Sequence, residues 1–557
     1  MELRIGILCN GTTFRAWEAE AIRKLLAVPG VRIVVLVKNR SAQDLPQAGV
    51  LQRALRYPWR MFLYLQYRKR WFKPKAMVLE DLGTLLGTVP VVEVDVQRKG
   101  FSERFIQHDL SVIAGHHPDV LLRFGFNIIR GEILQLPRYG VWSFHHGDET
   151  KYRGGPPVFW EIMHGDGVTG AILQRLTDKL DGGRILHKGW FRTVDHSLVE
   201  TVDTVLTTSA HWPAQVAKRL LNGDASAADG VDSRTDAPVF KYPGNLTFIR
   251  FLVQMARNKW RFHRGRTEMQ EQWNIAVLNQ PIATLLEEKP SLNARWLPEP
   301  AKGQFRADPF GYMRNGELNV LYEKYDYRTR QGFVARIRPK GDNVLKRSRT
   351  MLDEGRHLSY PFIVEHEGTV FCVPESIADG RVMLYKVNEA NDALEPVTKL
   401  LDEPLVDPTL FRHDGRWWLF GTKAPLTNVE LHAFWSDSLT GPFVAHVLNP
   451  LKHDIRTARP GGTPFRRGKE LWRPAQDSSR TYGGRIAFNR IDRLSPTDFA
   501  ETTVKYLEPL RGTSFNKGLH TVSAAGNITL LDGKRYVQAV QAQRGRPLPE
   551  EDEADDE

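Results

Sequence analysis

At 557 residues the chain is too long for one hydrophobic core, so at least two domains are expected. A content of 41% hydrophobic and 25% charged residues excludes a disordered or fibrous protein, and no apolar run is long enough for a membrane-spanning helix. The net charge of +12 persists despite an acidic tail at 550–557, which favours acidic partners such as phosphate-bearing metabolites, anionic lipid or nucleic acid.

The first residues, Met1-Glu-Leu-Arg-Ile-Gly-Ile-Leu8, enter a strand pattern at once rather than a cleavable leader. A helical pattern over 14–26 and a second buried strand over 31–37 complete a parallel α/β unit. The turn Cys9-Asn-Gly-Thr-Thr13 lacks the glycine spacing of a dinucleotide fingerprint, and no NAD is expected. Cys9 and Cys372, the two cysteines, are too far apart in sequence to suggest a disulfide or metal framework. They suit a reducing cytoplasm, and no metal site is expected.

Residues 55–75 set Trp59, Phe62, Leu63, Leu65, Trp71 and Phe72 among Arg60, Arg68, Lys69, Arg70 and Lys73, with no acid. Such a segment either packs on its own domain as a basic helix or lies in an anionic membrane surface. Strands follow over 89–96 and 119–124, the second leading into Phe124-Gly-Phe-Asn-Ile128. Ligands of open α/β sheets bind beyond the carboxyl ends of strands, where this loop is expected.

The stretch 139–186 carries the chemistry. It runs Tyr139-Gly-Val-Trp-Ser-Phe-His-His-Gly-Asp148, then Tyr152-Arg-Gly-Gly-Pro-Pro157, and ends in Leu180-Asp-Gly-Gly-Arg-Ile-Leu186. A strand that delivers histidines into a Gly/Pro-rich loop, with an aspartate on a second loop, suits proton transfer near neutral pH. His145 and His146 are adjacent in a strand, so they face opposite sides.

This order of residues resembles the formyltransferases that use 10-formyltetrahydrofolate, over roughly the first 220 positions. The resemblance implies a doubly wound α/β domain, with His145 and Asp181 as catalytic pair and 10-formyltetrahydrofolate as cosubstrate. Phe124, Gly125, Phe126, Asn127 and Ile128 match the loop that holds the folate, and Arg153, Gly154 and Pro157 match the loop between histidine and aspartate, with Arg153 a substrate-binding residue. Ser143 stands where the family has an asparagine whose amide would donate to the oxyanion, a contribution of about 3 to 4 kcal/mol.

Beyond this, 185–192 reads as a strand and 198–221 as one helix, which closes a domain over 1–221. Residues 222–270 read as a polar linker followed by a second basic helix over 245–266. From 271 to 541 a loose repeat recurs at about fifty residues, led by Asp308-Pro, Tyr360-Pro, Asp407-Pro and Thr463-Pro, with a further copy from His520. Short strands at that period indicate a propeller of five blades. The segment resembles five-bladed propellers of glycoside hydrolase families. More closely, Phe305-Arg-Ala-Asp-Pro-Phe-Gly311 resembles plant glucosamine inositolphosphorylceramide transferases.

Asp308, Glu375 and Asp407 are expected to converge on the propeller axis as a substrate-binding set. Paired acids hydrolyse glycosidic bonds, but Tyr360 and Thr463 take the equivalent place in other blades, which favours sugar binding over hydrolysis. Residues 542–557 read as an acidic disordered tail. The expectation is therefore a cytoplasmic formyltransferase, peripheral to a membrane if the basic helices dock there, that acts on an amino sugar or sugar nucleotide. The alternative is a carbohydrate-active or carbohydrate-binding propeller carrying a degenerate folate domain. No nucleic-acid partner is expected, because nothing here resembles the small basic barrel of methionyl-tRNA formyltransferases.

Overall fold

The computed structural model describes residues 2–40, 59–178, 182–233, 236–339 and 348–539, which divide into two units, Met1–Phe262 and His263–Glu557. Asp181 and the tail at 542–557 lie outside the described residues.

The first unit opens with β1 (Leu3–Cys9), α1 (Ala16–Leu26) and β2 (Val31–Asn39). Then come α2 (Phe62–Arg70), β3 (Val91–Val94), α3 (Gln107–Gly115) and β4 (Val120–Arg123). β5 (Val141–His145), α4 (Phe159–His164), β6 (Val168–Arg175) and β7 (Arg184–Arg192) form the middle of the unit. The strands lie in one sheet in the order β7-β6-β5-β4-β1-β2-β3. β3, β2, β1, β4 and β5 are parallel, and β6 and β7 return antiparallel.

From β1 the chain moves one way to β2 and β3, then crosses to the other side for β4 and β5. The carboxyl ends of β1 and β4 therefore flank a topological switch point, where open α/β sheets hold ligands. β2 buries consecutive residues from Ile33 to Val37, as a strand covered on both faces must. Leu110 and Ile113 of α3 pack with Leu8, Val35 and Val37, while Trp17 of α1 joins Phe159, Leu198 and Val202.

Two expectations need correction. The single helix over 198–221 is two, α5 (Leu198–Ser209) and α6 (Trp212–Leu221), because Pro213 has no N–H to donate back into the preceding turn. The polar part of 222–270 carries two short strands within the first unit, ahead of the basic helix expected there. Val231–Asp232 pairs with β7 at the sheet edge, and Val239–Phe240 pairs with Arg153–Gly154. α7 (Asn245–Glu268) packs Phe248 on Tyr64 and Phe251 on Phe159. Strands of two residues have no periodicity to read, so composition alone suggested a loop.

The second unit is five antiparallel sheets, the architecture of a five-bladed propeller. Blade 1 runs from Gln304–Arg314 to Arg349–Leu352, blade 2 from Ser359–His366 to Ala393–Leu401, blade 3 from Val406–His413 to Val444–Ala445 and blade 4 from Phe465–Arg467 to Phe499–Leu507. Blade 5 joins Val522–Ala525 and Ile528–Gln538 to Met269–Leu278 and Arg295–Trp296, so both ends of the unit share one sheet.

The first strands of blades 1 to 3 share one irregularity. Asp308, Tyr360 and Asp407 precede their prolines with φ of 51°, 42° and 50°, and the ladder shifts register at each. Proline donates no N–H to a ladder, and a bulge absorbs it. Bulky residues held in the left-handed region gather at functional positions.

Candidate functional site

His145 ends β5, where its Nε2 lies 3.0 Å from the Tyr152 carbonyl. A carbonyl only accepts, so the neutral ring carries its proton on Nε2 and keeps Nδ1 as a base. His146 faces the other way, as expected. Its Nε2 meets Ser209 Oγ at 3.1 Å, its ring packs edge-on to Trp17 and stacks on Phe144. Burial, then the charges of His145 and Arg15, push its pKa down to about 3.

Ser143 is buried in β5, and its hydroxyl accepts from Arg123 Nε at 3.0 Å. Arg123 Nη1 also donates to the Asn127 carbonyl at 2.5 Å. Asn127 itself is committed to the fully buried Glu103, which accepts from its main-chain N and from Nδ2 at 2.7 Å each. Asn127 therefore does not supply the amide that Ser143 lacks.

The phenylalanines of the 124–128 loop pack on their own domain. Phe124 meets Phe14, Trp17 and Phe144, and Phe126 packs on Phe105. A Cβ on Gly125 would fall 2.9 Å from the Asn10 side chain and the Cys9 backbone, so only glycine lets the loops after β1 and β4 meet. The loop still presents Asn127 and Ile128 to solvent, with Asn127 Nδ2 held by Glu103. Arg153 Nη1 donates to the Ala237 carbonyl at 3.1 Å, which ties its loop to the Val239–Phe240 strand.

On the propeller, Asp308, Glu375 and Asp407 do converge, and all are buried. Asp407 N donates to Glu375 Oε2 at 2.7 Å, and Asp407 Oδ2 accepts from Arg459 Nε and Gln476 Nε2 at 2.6 Å each. Asp308 accepts from Thr521 Oγ1 at 2.6 Å and from Tyr360 N at 3.3 Å, and its own N donates to Asp532 at 3.2 Å. His520 lies flat on Trp273 at 3.9 Å, with Nδ1 at 2.6 Å from Asp532.

Burial, reinforced by the charges of Asp407 and Asp532 against the pull of His520, raises the Asp308 pKa to about 6. Burial and then Asp407 lift Glu375 well above the carboxylate range. Glu375 thus favours its protonated form beside Asp407, which Arg459 contacts. Two acids in unlike surroundings are what acid–base chemistry on a glycosidic bond draws on. Asp308, His520 and Asp532 also offer one ligand atom each within 4.8 Å of one another, a donor set that suits a divalent cation.

Residues 270–525 match the family model for the N-terminal part of glucosamine inositolphosphorylceramide transferase 1. The transferase of that name from Oryza sativa subsp. japonica is 31% identical over 249 residues, which is 42% of this chain and 33% of the rice protein. Methionyl-tRNA formyltransferase of Parabacteroides distasonis is 25% identical over 167 residues, 28% of this chain and 50% of that one. Among solved structures, Zg3597, a family 117 glycoside hydrolase from Zobellia galactanivorans, is 14% identical, covering 42% of this chain and 87% of its own, with a TM-score of 0.32. Two architectures share one chain. The first part resembles the formyltransferase superfamily, and the second resembles the N-terminal part of glucosamine inositolphosphorylceramide transferase. The chain spans a third to a half of the length of these curated relatives.

Sequence reasoning missed Arg123, Arg459, Gln476 and Asp532, and read His520 as the start of a repeat copy. Each sits in a stretch that reads as an ordinary strand or turn, and their roles appear only when distant strands meet. It also missed the polar set beside His145. There Lys188 Nζ bridges Asp148 at 3.0 Å and Glu149 at 2.9 Å, and Tyr152 donates to Asp166 at 2.6 Å. Burial, with the nearby charges of Asp166 and Asp148, raises the pKa of Glu161 to about 8.

Proposed function

We propose that the first unit moves the formyl group of 10-formyltetrahydrofolate to an amine, and that the amine belongs to an amino sugar or a nucleotide-linked amino sugar. The observation that carries this reading is His145, held at the carboxyl end of β5 by the Tyr152 carbonyl with Nδ1 left as the base. In the reaction the amine nitrogen bonds to the formyl carbon and the bond from that carbon to folate N10 breaks. The surplus amine proton leaves through His145, N10 takes up a proton, and the products are a formamide and tetrahydrofolate. Asp181 orients the amine and assists the proton.

Arg123 fills the part of the missing asparagine. Its guanidinium, anchored on Ser143 and the Asn127 carbonyl, sets a cation beside the developing oxyanion. Loss of such a donor costs about 10²–10³ in kcat. The sugar preference rests on the second unit, whose relatives carry glucosamine, itself an amino sugar, in their name.

The test is the purified chain with 10-formyltetrahydrofolate against free and nucleotide-linked amino sugars. A formylated product that disappears in His145→Ala supports the reading, and no turnover with any amine sinks it. The second reading makes the propeller the active part and the folate domain its scaffold, and the contrast between Glu375 and Asp407 favours it. It predicts glycan turnover that survives His145→Ala and disappears in Glu375→Gln.

A further inference from the structure

The two basic, aromatic segments of the sequence meet in space. Asn245, at the start of α7, donates from Nδ2 to the Trp59 carbonyl at 2.5 Å and accepts from Leu63 N at 3.0 Å. Behind this joint Tyr64 and Tyr67 of α2 pack on Phe248 of α7, so each helix has one face committed to its own domain.

The outer face of α7 is not polar. Leu246, Ile249, Val253 and Trp260 recur at helical spacing, opposite the buried Phe248 and Phe251, and all four are exposed. Leu246 is 64% exposed. Trp59, 81% exposed, and Phe62 add an aromatic pair, 5.6 Å between rings, at the end where α2 meets α7. The same two segments carry Arg250, Arg257 and Lys259 on α7 and Arg60, Arg68, Lys69, Arg70 and Lys73 on and around α2. No acid occurs from Trp59 to Leu79 or from Asn245 to Thr267.

We infer that α2 and α7 together form a docking face for a bilayer carrying anionic lipid. The apolar strip enters the headgroup–acyl boundary, the tryptophans sit at its level, and the cations of the two segments meet anionic headgroups. Charge decides the occupant. A second copy of this face would bring cations against cations across the seam, and a nucleic acid would leave Leu246, Ile249 and Val253 uncovered.

The test is sedimentation of the full chain with vesicles of phosphatidylcholine, with and without phosphatidylserine, at low and high salt. Binding about tenfold or more stronger to the serine-containing vesicles, and weakened by salt, is expected. Ile249→Ser with Val253→Ser, and separately Arg250→Gln with Arg257→Gln, should each lower that binding by roughly tenfold while the melting temperature holds. Equal affinity for neutral vesicles, no binding, or full binding by the serine pair overturns the inference. Dimers that Val253→Ser dissolves, without vesicle binding, would also overturn it and assign the strip to a second copy.

Discussion

At the residue scale, Ser143 is tied to its neighbour Arg123, the residue proposed for the missing asparagine's part. Ser143 is 1% exposed beneath Arg123, so a larger side chain there displaces the guanidinium rather than adding a donor. Ser143→Asn is therefore expected to lower the formylation rate, and Arg123→Leu to lower kcat by about 10²–10³ with KM for the amine little changed. Steady-state kinetics of both variants decide this, and a faster Ser143→Asn enzyme removes Arg123 from the role. His146 sets a pH dependence of stability. Unfolded it takes up a proton near pH 6.5, but folded only near pH 3. Its contribution is present above pH 6.5 and is lost as pH falls toward 3, at up to about 1.4 kcal/mol per pH unit for a fully buried ring and less for this half-buried one. Urea unfolding at several pH values should show the difference between wild type and His146→Gln shrinking on acidification.

At the element scale, the loop that carries Arg153 is positioned by a two-residue strand rather than by its own turns. Gly154 has φ of 84°, and a Cβ there would run into the Phe240 carbonyl. Gly154→Ala should break the pairing with Val239–Phe240 and cost about 1–3 kcal/mol from the backbone alone. The loss is read as a lower melting temperature, together with a higher KM if Arg153 contacts substrate. The broken helix over 198–221 is the same lesson in α form: Ser209, which meets His146, sits where α5 stops because Pro213 starts α6.

At the scale of the whole molecule, the propeller ring closes on a charge that must be balanced. Asp407 is buried against Arg459 and Gln476, with Glu375 and Asp308 beside it. Arg459→Met leaves a buried carboxylate without its cation and should cost about 3–5 kcal/mol. Chemical denaturation followed by the propeller tryptophans measures it. The same axis separates the two functional readings, since Glu375→Gln keeps the hydrogen bond from Asp407 N but removes the acid. Sugar affinity that survives with no reaction lost fits a binding propeller.

Much of the architecture is decided locally and is legible in the chain. Apolar runs of strand length, the turn after each and the fifty-residue repeat follow from backbone periodicity and proline chemistry, which need no distant contact. The fate of His145 and His146 also follows from alternation along a single strand. Other features wait for residues far apart in sequence. Asn127 spends its amide on Glu103, Arg123 reaches Ser143 across two strands, and the axis draws Asp308, Glu375, Asp407, Arg459 and His520 from different blades. The second basic helix reads alone only as basic, and its packing on α2 is what leaves an apolar strip facing outward. A side chain's partner depends on which strands become neighbours, and that is settled by burial of the whole core rather than by any window of sequence.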